Sequence, residues 1–157
     1  DNTLYTKLKE EFSLEFIEEA HAEHSTEVQF PFIKHYIDDA SILELVYSDT
    51  DATEISKLIN FILSDVEYGV IISTDLSHFY TQDEALNLDS ICLDALKNLD
   101  LNKLHSGCEA CGIIGVEAMM ISAKELSLEP NILDHRTSAD AINDKTRVVG
   151  YMSAYFK

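Results

Sequence analysis

Residues 69–78 read Gly-Val-Ile-Ile-Ser-Thr-Asp-Leu-Ser-His, and this stretch is the most informative one for the fold. An apolar, β-branched run after a glycine is typical of a buried strand, so we predict a strand over Gly69–Thr74. The polar residues after it would lie where the strand passes into a loop, at the edge of an α/β sheet where ligands bind. A carboxylate three residues from an imidazole can fix its tautomer and raise its basicity. We therefore interpret His78 as a candidate acid/base, Asp75 as its partner and Ser73 as a pocket residue.

The rest of the chain alternates helical and strand-like patterns. Helical spacing predicts helices over Leu4–Phe12, from Ser25 (as N-cap) to Ile37, after Asp51, over Thr81–Leu99 and over Cys111–Leu126, with a short turn over Asp100–His105. Strands are predicted at Ile42–Tyr47, Gly69–Thr74, Ile132–His135 and Val148–Phe156, with Ser13–Ala22 ambiguous. This alternation predicts a single α/β domain over residues 1–157, of the three-layer type, with a mixed or mostly parallel central sheet flanked by helices.

Composition limits the function classes. The 157 residues include 29 acidic and 11 basic side chains, for a net charge of −18. Such a surface repels phosphate, so we expect neither nucleic acid nor an anionic membrane as a partner. No apolar stretch approaches the length of a membrane helix, and no secretion signal is visible. Three cysteines, an odd number, predict reduced thiols, and together these features predict a cytoplasmic protein.

The sequence Cys108-x-x-Cys111 suggests metal or redox chemistry. A single such pair gives two ligands, too few for a closed structural zinc site. A thioredoxin-like motif would follow a strand, whereas the residues before Cys108 resemble a helix and a turn. Cys111 is predicted to begin an apolar helix, where the helix dipole favours a thiolate and hence a soft-metal ligand. Cys92 is interpreted as a small core residue on a helix face.

Glu23-His24-Ser25 forms a third polar cluster. Its position before a helix is typical of a cap, and the three-residue spacing of His21 and His24 is only a weak metal signal. Glu23 and His24 are kept as pocket candidates. Two structural alternatives for the first cluster also stay open: His78 as a structural histidine and Asp75 as a helix cap.

These clusters, in this order, resemble the MEMO family, whose fold is that of the class III extradiol dioxygenases. The segments that carry the resemblance are Glu23–Pro31, Ile71–His78, Ala110–Gly112, Thr137–Asp140 and Val148–Tyr151. The resemblance implies that His78 matches the acid/base histidine of those enzymes, that Asp75 lies beside it, and that Cys111 replaces a carboxylate metal ligand.

The resemblance also implies a cofactor, which is Fe(II) in the full-length protein, with copper or zinc as alternatives because a thiolate softens the site. The family's two histidine ligands come from motifs that this sequence does not contain, so we expect the chain to represent the C-terminal two-thirds of the family fold. On that expectation the chain lacks most of the metal site and several strands of the sheet, with no metal bound to this chain as a further alternative. We also expect self-association through the exposed strand edge, or a missing segment that covers the edge. Ala139 also departs from the family pattern, where glycine is usual.

Two functions follow. The first is a dioxygenase-related, metal-binding protein with a non-haem oxidoreductase site that acts on a small molecule, although ring cleavage does not follow from the fold. The second is a non-catalytic module that binds a peptide or protein. Both require the imidazole of His78 and the sulfur of Cys111 to converge on one cavity.

Overall fold

A computed structural model describes residues 2–21 and 24–157 of the chain. They fall into two compact units, Asp1–Thr50 and Asp51–Lys157. In the first unit, α1 (Asn2–Glu11) confirms the predicted first helix and buries Leu4 and Leu8, which lie one turn apart.

A 3₁₀ turn (Glu18–His21) and two short helices, α2 (His24–Glu27) and α3 (Phe30–Tyr36), complete the first unit. The single helix predicted from Ser25 is therefore divided in two, and Pro31 lies in the first turn of α3, where its missing N–H costs little. Ser25 lies inside α2, so its assignment as an N-cap is wrong.

The second unit combines five helices with a sheet. The helices are α4 (Ala52–Leu63), α5 (Gln82–Asn98), α6 (Leu101–Leu104), α7 (Ile113–Leu126) and α8 (Ala139–Ile142). The strands are β1 (His78–Tyr80), β2 (Pro130–Thr137) and β3 (Val148–Phe156). Helices α4 and α7 pack around Ile59 and Met119, whereas Leu96 and Met120 belong to a second core cluster against β3.

The sheet has the order β1-β3-β2, and both pairings are antiparallel. Strand β2 pairs with β3 from Pro130 opposite Phe156 to Thr137 opposite Gly150. Mixed helices and strands confirm the α/β class. A mixed or mostly parallel central sheet is not confirmed by the residues described, which contribute three antiparallel strands.

Two predicted strands are wrong. Segments 42–47 and 69–74 are irregular, and their apolar side chains are only partly covered; Ile71 is 61% exposed. An apolar β-branched run becomes a strand only when another strand pairs with its backbone. Neither segment joins the β-ladders of the described residues. The predicted strands at the C-terminal end, β2 and β3, are confirmed.

Cysteine usage also differs from the prediction. Cys92 of α5 and Cys108 form a disulfide, and Cys111 is a free, exposed thiol. The three cysteines therefore include one disulfide, so the prediction of reduced thiols is wrong for Cys92 and Cys108. The odd number of cysteines does not support a reducing compartment. Within residues 2–21 and 24–157, no helix has both the length and the apolar character needed to cross a membrane.

Candidate metal centre

The loop that contains Asp75 is fixed by its backbone. Leu76 is buried, its N–H donates to the carbonyl of Gly150 at 2.9 Å, and the N–H of Gly150 donates to the carbonyl of Ser77 at 2.9 Å. Because Leu76 and Ser77 are buried, Asp75 and His78 on either side of them are the residues that remain partly accessible. His78 Nε2 lies 2.8 Å from Asp75 Oδ2, and the side chains are 27% and 33% exposed.

Cys111 comes from a second segment, the turn that precedes α7. The helix begins at Ile113 with Gly112 as its N-cap, so the prediction that Cys111 begins the helix is wrong by two residues. The turn before α7 is held in place by the disulfide between Cys108 and Cys92 and by the buried side chain of Ala110. The thiol is thereby directed toward Asp75: Sγ lies 2.9 Å from Oδ1.

Further hydrogen bonds join the two segments. Thr74 Oγ1 accepts from the N–H of Gly112 at 2.9 Å, and lies 3.5 Å from the sulfur of Cys111. On the other side, Tyr80 Oη donates to Glu109 Oε1 at 3.0 Å, and this bond and the negative charge of Glu109 raise the pKa of Tyr80. Thr74, Tyr80 and Glu109 were not predicted as site residues. Two of them had a signal in the sequence, since Thr74 directly precedes Asp75 and Glu109 lies between Cys108 and Cys111.

The result is a cluster of three donor types. One ligand atom each from Asp75, His78 and Cys111 lies within 4.8 Å of the other two. Atoms that bind a zinc-sized ion at about 2.0–2.3 Å are separated by up to roughly twice that distance, so the cluster is close to the size that one ion requires. Sulfur, imidazole nitrogen and carboxylate oxygen suit a soft or borderline transition metal.

Electrostatics keep the central carboxylate ionised. Partial burial acts to raise the pKa of Asp75, but the hydrogen bonds from Cys111 and His78 outweigh it and hold the pKa below its ordinary value. The two oxygens have separate partners, since Oδ1 faces the sulfur and Oδ2 faces the imidazole.

The arrangement argues against a cysteine nucleophile of the protease type. Such sites place the histidine between the nucleophile and the carboxylate, so that the imidazole removes the nucleophile's proton. Here Asp75 lies between Cys111 and His78. This order of groups fits the binding of one ligand by several of the side chains better than it fits acyl transfer to the cysteine.

A strained residue follows the imidazole. Phe79 has φ 68°, a left-handed conformation that is rare for a bulky side chain and is often found at functional sites. Its exposed ring lies 5.8 Å from that of His78, and the guanidinium of Arg147 lies 4.4 Å above it.

The remaining predicted site residues are placed as follows. Ser73 is half-buried two residues before Asp75, and it is the next residue, Thr74, that meets the thiol. His24 begins α2 in the first unit, is exposed, and lies 3.1 Å from Glu27. Glu23 lies outside the described residues. The structure thus brings the side chains of His78 and Cys111 together, whereas their predicted common cavity and the roles of these residues stay predictions.

Comparison with known proteins gives one consistent family. The family described as Memo-like protein matches residues 1–155. A MEMO1 family protein of Metallosphaera sedula is 34% identical over 152 residues, which cover 88% of this chain and 54% of the relative. One of Methanobrevibacter smithii is 36% identical, covering 86% and 52%. One of Thermotoga petrophila is 34% identical, covering 84% and 50%. The chain spans about half the length of these relatives.

Proposed function

This chain belongs to the Memo-like family, and on that premise we propose that it binds one transition-metal ion at Cys111 and Asp75, beside the proton-transferring imidazole of His78. The observation that carries the proposal is the clustering of three donor atoms from two separate segments within 4.8 Å. The thiolate would be the soft ligand, and Asp75 would bind through Oδ1, the oxygen that now faces the sulfur. The ion we favour is Fe(II), with copper or zinc as alternatives.

The bound ion would supply Lewis acidity and, if it is iron or copper, electron transfer to or from a small organic substrate. The chain's own residues do the rest. A carboxylate can only accept, so His78 Nε2–H donates to Asp75 Oδ2, which leaves Nδ1 as the basic nitrogen. Nδ1 is then the atom that takes a proton from the substrate and returns it. With these roles we propose a dioxygenase-related oxidoreductase function that acts on a small molecule.

Cobalt(II) titration tests the proposal directly. A cobalt–thiolate bond gives a near-ultraviolet charge-transfer band, and the disulfide leaves Cys111 as the free thiol in the part of the chain described. We expect a band that saturates at one equivalent, disappears in Cys111→Ser and is weakened by Asp75→Asn. Zinc and Fe(II) should compete for the same site.

A matched control is the pair formed by His105 and Glu117, in which Nε2 lies 3.0 Å from Oε1. This pair has two of the three donor types of the candidate site, the imidazole and the carboxylate, but lacks a thiol, so His105→Gln should leave cobalt binding unchanged. Absence of the band in the wild-type protein, or equal binding by Cys111→Ser, would overturn the metal proposal.

One observation favours a second function, the binding of an extended peptide. Residues 69–72 have a strand-forming sequence, yet they join none of the β-ladders among the described residues, and Ile71 is largely exposed. Such a segment can accept an added strand, with affinity from the backbone and specificity from alternate side chains. Calorimetry with an extended apolar peptide, compared between wild type and Ile71→Lys, tests it; tight peptide binding without metal would favour this function over the first.

A further inference from the structure

Asp89 is a buried carboxylate that the proposed mechanism does not use. It lies on the inner face of α5 and its side chain is fully buried. A buried carboxylate is costly unless its oxygens are paired. Both are paired here: Oδ1 accepts the N–H of Ser77 at 3.0 Å, and Oδ2 lies 2.8 Å from Nε2 of His135.

The hydrogen bond to Ser77 connects Asp89 to the candidate site. Ser77 directly precedes His78 and lies two residues after Asp75. Its carbonyl accepts the N–H of Gly150, so both backbone polar groups of Ser77 are held from beneath the loop. A shift of this one residue would therefore move the imidazole relative to the carboxylate and the thiol.

Gly150 is the counterpart of Asp89 on β3. A Cβ at position 150 would lie 2.0 Å from Asp89 Oδ2, far inside van der Waals contact. The absence of a side chain lets β3 pass close to the carboxylate while its backbone pairs with the loop. His135 on β2 is half-buried and approaches the same oxygen. The 75–78 loop, strand β3 and strand β2 thus all approach the carboxylate of Asp89.

We propose that Asp89, oriented by His135, is the positioning residue of the Asp75–His78 loop. By fixing the N–H of Ser77 it sets the spacing at which Asp75 and His78 face Cys111. The inference rests on the proposed metal site for its functional meaning, but the positioning itself is a separate claim about the loop.

The test uses Asp89→Ala and the conservative Asp89→Asn, with cobalt(II) as the probe. Loss of a group that orients ligands weakens metal binding by about 10–100-fold, and we expect Asp89→Ala to fall in that range. Asp89→Asn retains a side-chain oxygen that can accept from Ser77, so it should recover most of the affinity. Asp94→Asn, on an exposed position of the same helix, should bind as the wild type does.

A general loss of stability must be separated from loss of positioning. Ile59→Ala creates a cavity in the α4–α7 core and lies in neither segment of the candidate site. It should destabilise the protein yet leave the cobalt affinity unchanged at temperatures where it stays folded. Equal weakening by Ile59→Ala and Asp89→Ala, or wild-type affinity in Asp89→Ala, would overturn the proposal. If Asp89→Ala does not fold, Gly150→Ala, which displaces the carboxylate without removing it, takes its place with the same expected direction.

A second readout distinguishes failure of this inference from failure of the metal site. ¹⁵N NMR of the imidazoles reports whether His78 is fixed with its proton on Nε2, as the bond to Asp75 requires, and needs no metal. We expect a fixed tautomer in the wild type and an averaged one in Asp89→Ala. A wild type that binds no cobalt but shows this change would remove the metal proposal alone, whereas an unchanged tautomer in Asp89→Ala would remove the positioning claim.

Discussion

Two aspartate–histidine pairs in this protein have the same separation and opposite surroundings. Asp75 and His78 are 2.8 Å apart and about one-third and one-quarter exposed, whereas Asp89 and His135 are 2.8 Å apart with the carboxylate fully buried. The open pair also meets a thiol, and the buried pair meets a backbone N–H. The distance between carboxylate and imidazole therefore does not decide the role of a pair. Its exposure to solvent, and whether a thiol or a backbone N–H is the additional partner, do.

The sulfur atoms repeat this contrast. Cys92 and Cys108 form a buried disulfide beneath the turn, and Cys111, three residues after Cys108, is exposed and free. For the Asp–His pairs and for the cysteines alike, one set of groups is buried and holds the fold together, and the other is accessible to solvent. Substitutions of the buried groups should therefore change stability, and should change ligand binding only where the group positions the site, as Asp89 does through Ser77. Substitutions of Asp75 or Cys111 should change ligand binding directly.

The largest expected effect is on the buried pair. Asp89→Ala leaves the N–H of Ser77 and the ring of His135 without their partner, and each buried polar group left unsatisfied costs about 1–3 kcal/mol. Asp75→Ala removes a partly exposed pair, which contributes about 0–1 kcal/mol. Urea unfolding at neutral pH measures both. Equal losses would mean that the two pairs do not differ in the way burial suggests.

The disulfide should have the next largest effect. It closes a loop with a sequence separation of 16 residues, and a loop of that length corresponds to about 3 kcal/mol of unfolding free energy in the chain-entropy model. Unfolding with and without a reductant measures the difference. Cys111→Ser should keep the full response to reductant, and a Cys92→Ala variant should show none.

A substitution at Gly150 should follow. The added methyl group of Gly150→Ala collides with Asp89, and overpacking of this kind costs about 1–3 kcal/mol. Gly69→Ala is the matched control, since nothing lies within 4 Å of a Cβ at that position. Its effect should stay within about 0.5 kcal/mol. Comparable losses in thermal unfolding for the two variants would contradict the crowding at Gly150.

The fold was most predictable where the pattern is long and local. Helix α5 and strand β3 follow from periodic apolar residues over 17 and 9 positions, which indicate both the type of element and its buried face. Segment 69–74 shows the limit, because its residues favour a strand but the pairing partner of a strand is a property of the whole fold. The disulfide partner of Cys92 could not be predicted from the sequence either, since cysteine spacing does not determine connectivity.

The candidate site was predictable only where the signal is local in sequence. Asp75, His78 and Cys111 stand out as polar residues beside apolar runs, and the structure brings them together. Asp89 left one signal that was missed: a charged residue at helical spacing between Ala85 and Cys92, on the buried face of α5. A charge on an apolar face requires a partner, but only the structure identifies Ser77 and His135 in that role.

The smallest expected effect concerns acid stability at the open pair. Burial acts to raise the pKa of Asp75, but the bonds from Cys111 and His78 prevail and lower it. A lowered folded-state pKa gives a contribution to stability that is present above the unfolded value, about 3.9, and is lost as the pH falls through the folded one. The difference in unfolding free energy between wild type and Asp75→Asn should therefore shrink as the pH falls below about 4.

A Cys111→Ala background sharpens this measurement. Without the thiol, one of the two side-chain bonds that lower the pKa of Asp75 is gone, so the acid-dependent effect of Asp75→Asn should be smaller than it is in the wild-type background. Urea unfolding of the wild type, the two single variants and the double variant across the same pH range gives the coupling between the two residues as a double-mutant cycle. A coupling of zero would contradict the bond between the thiol and the carboxylate, and with it the contrast between an open pair that meets a thiol and a buried pair that holds the backbone of Ser77.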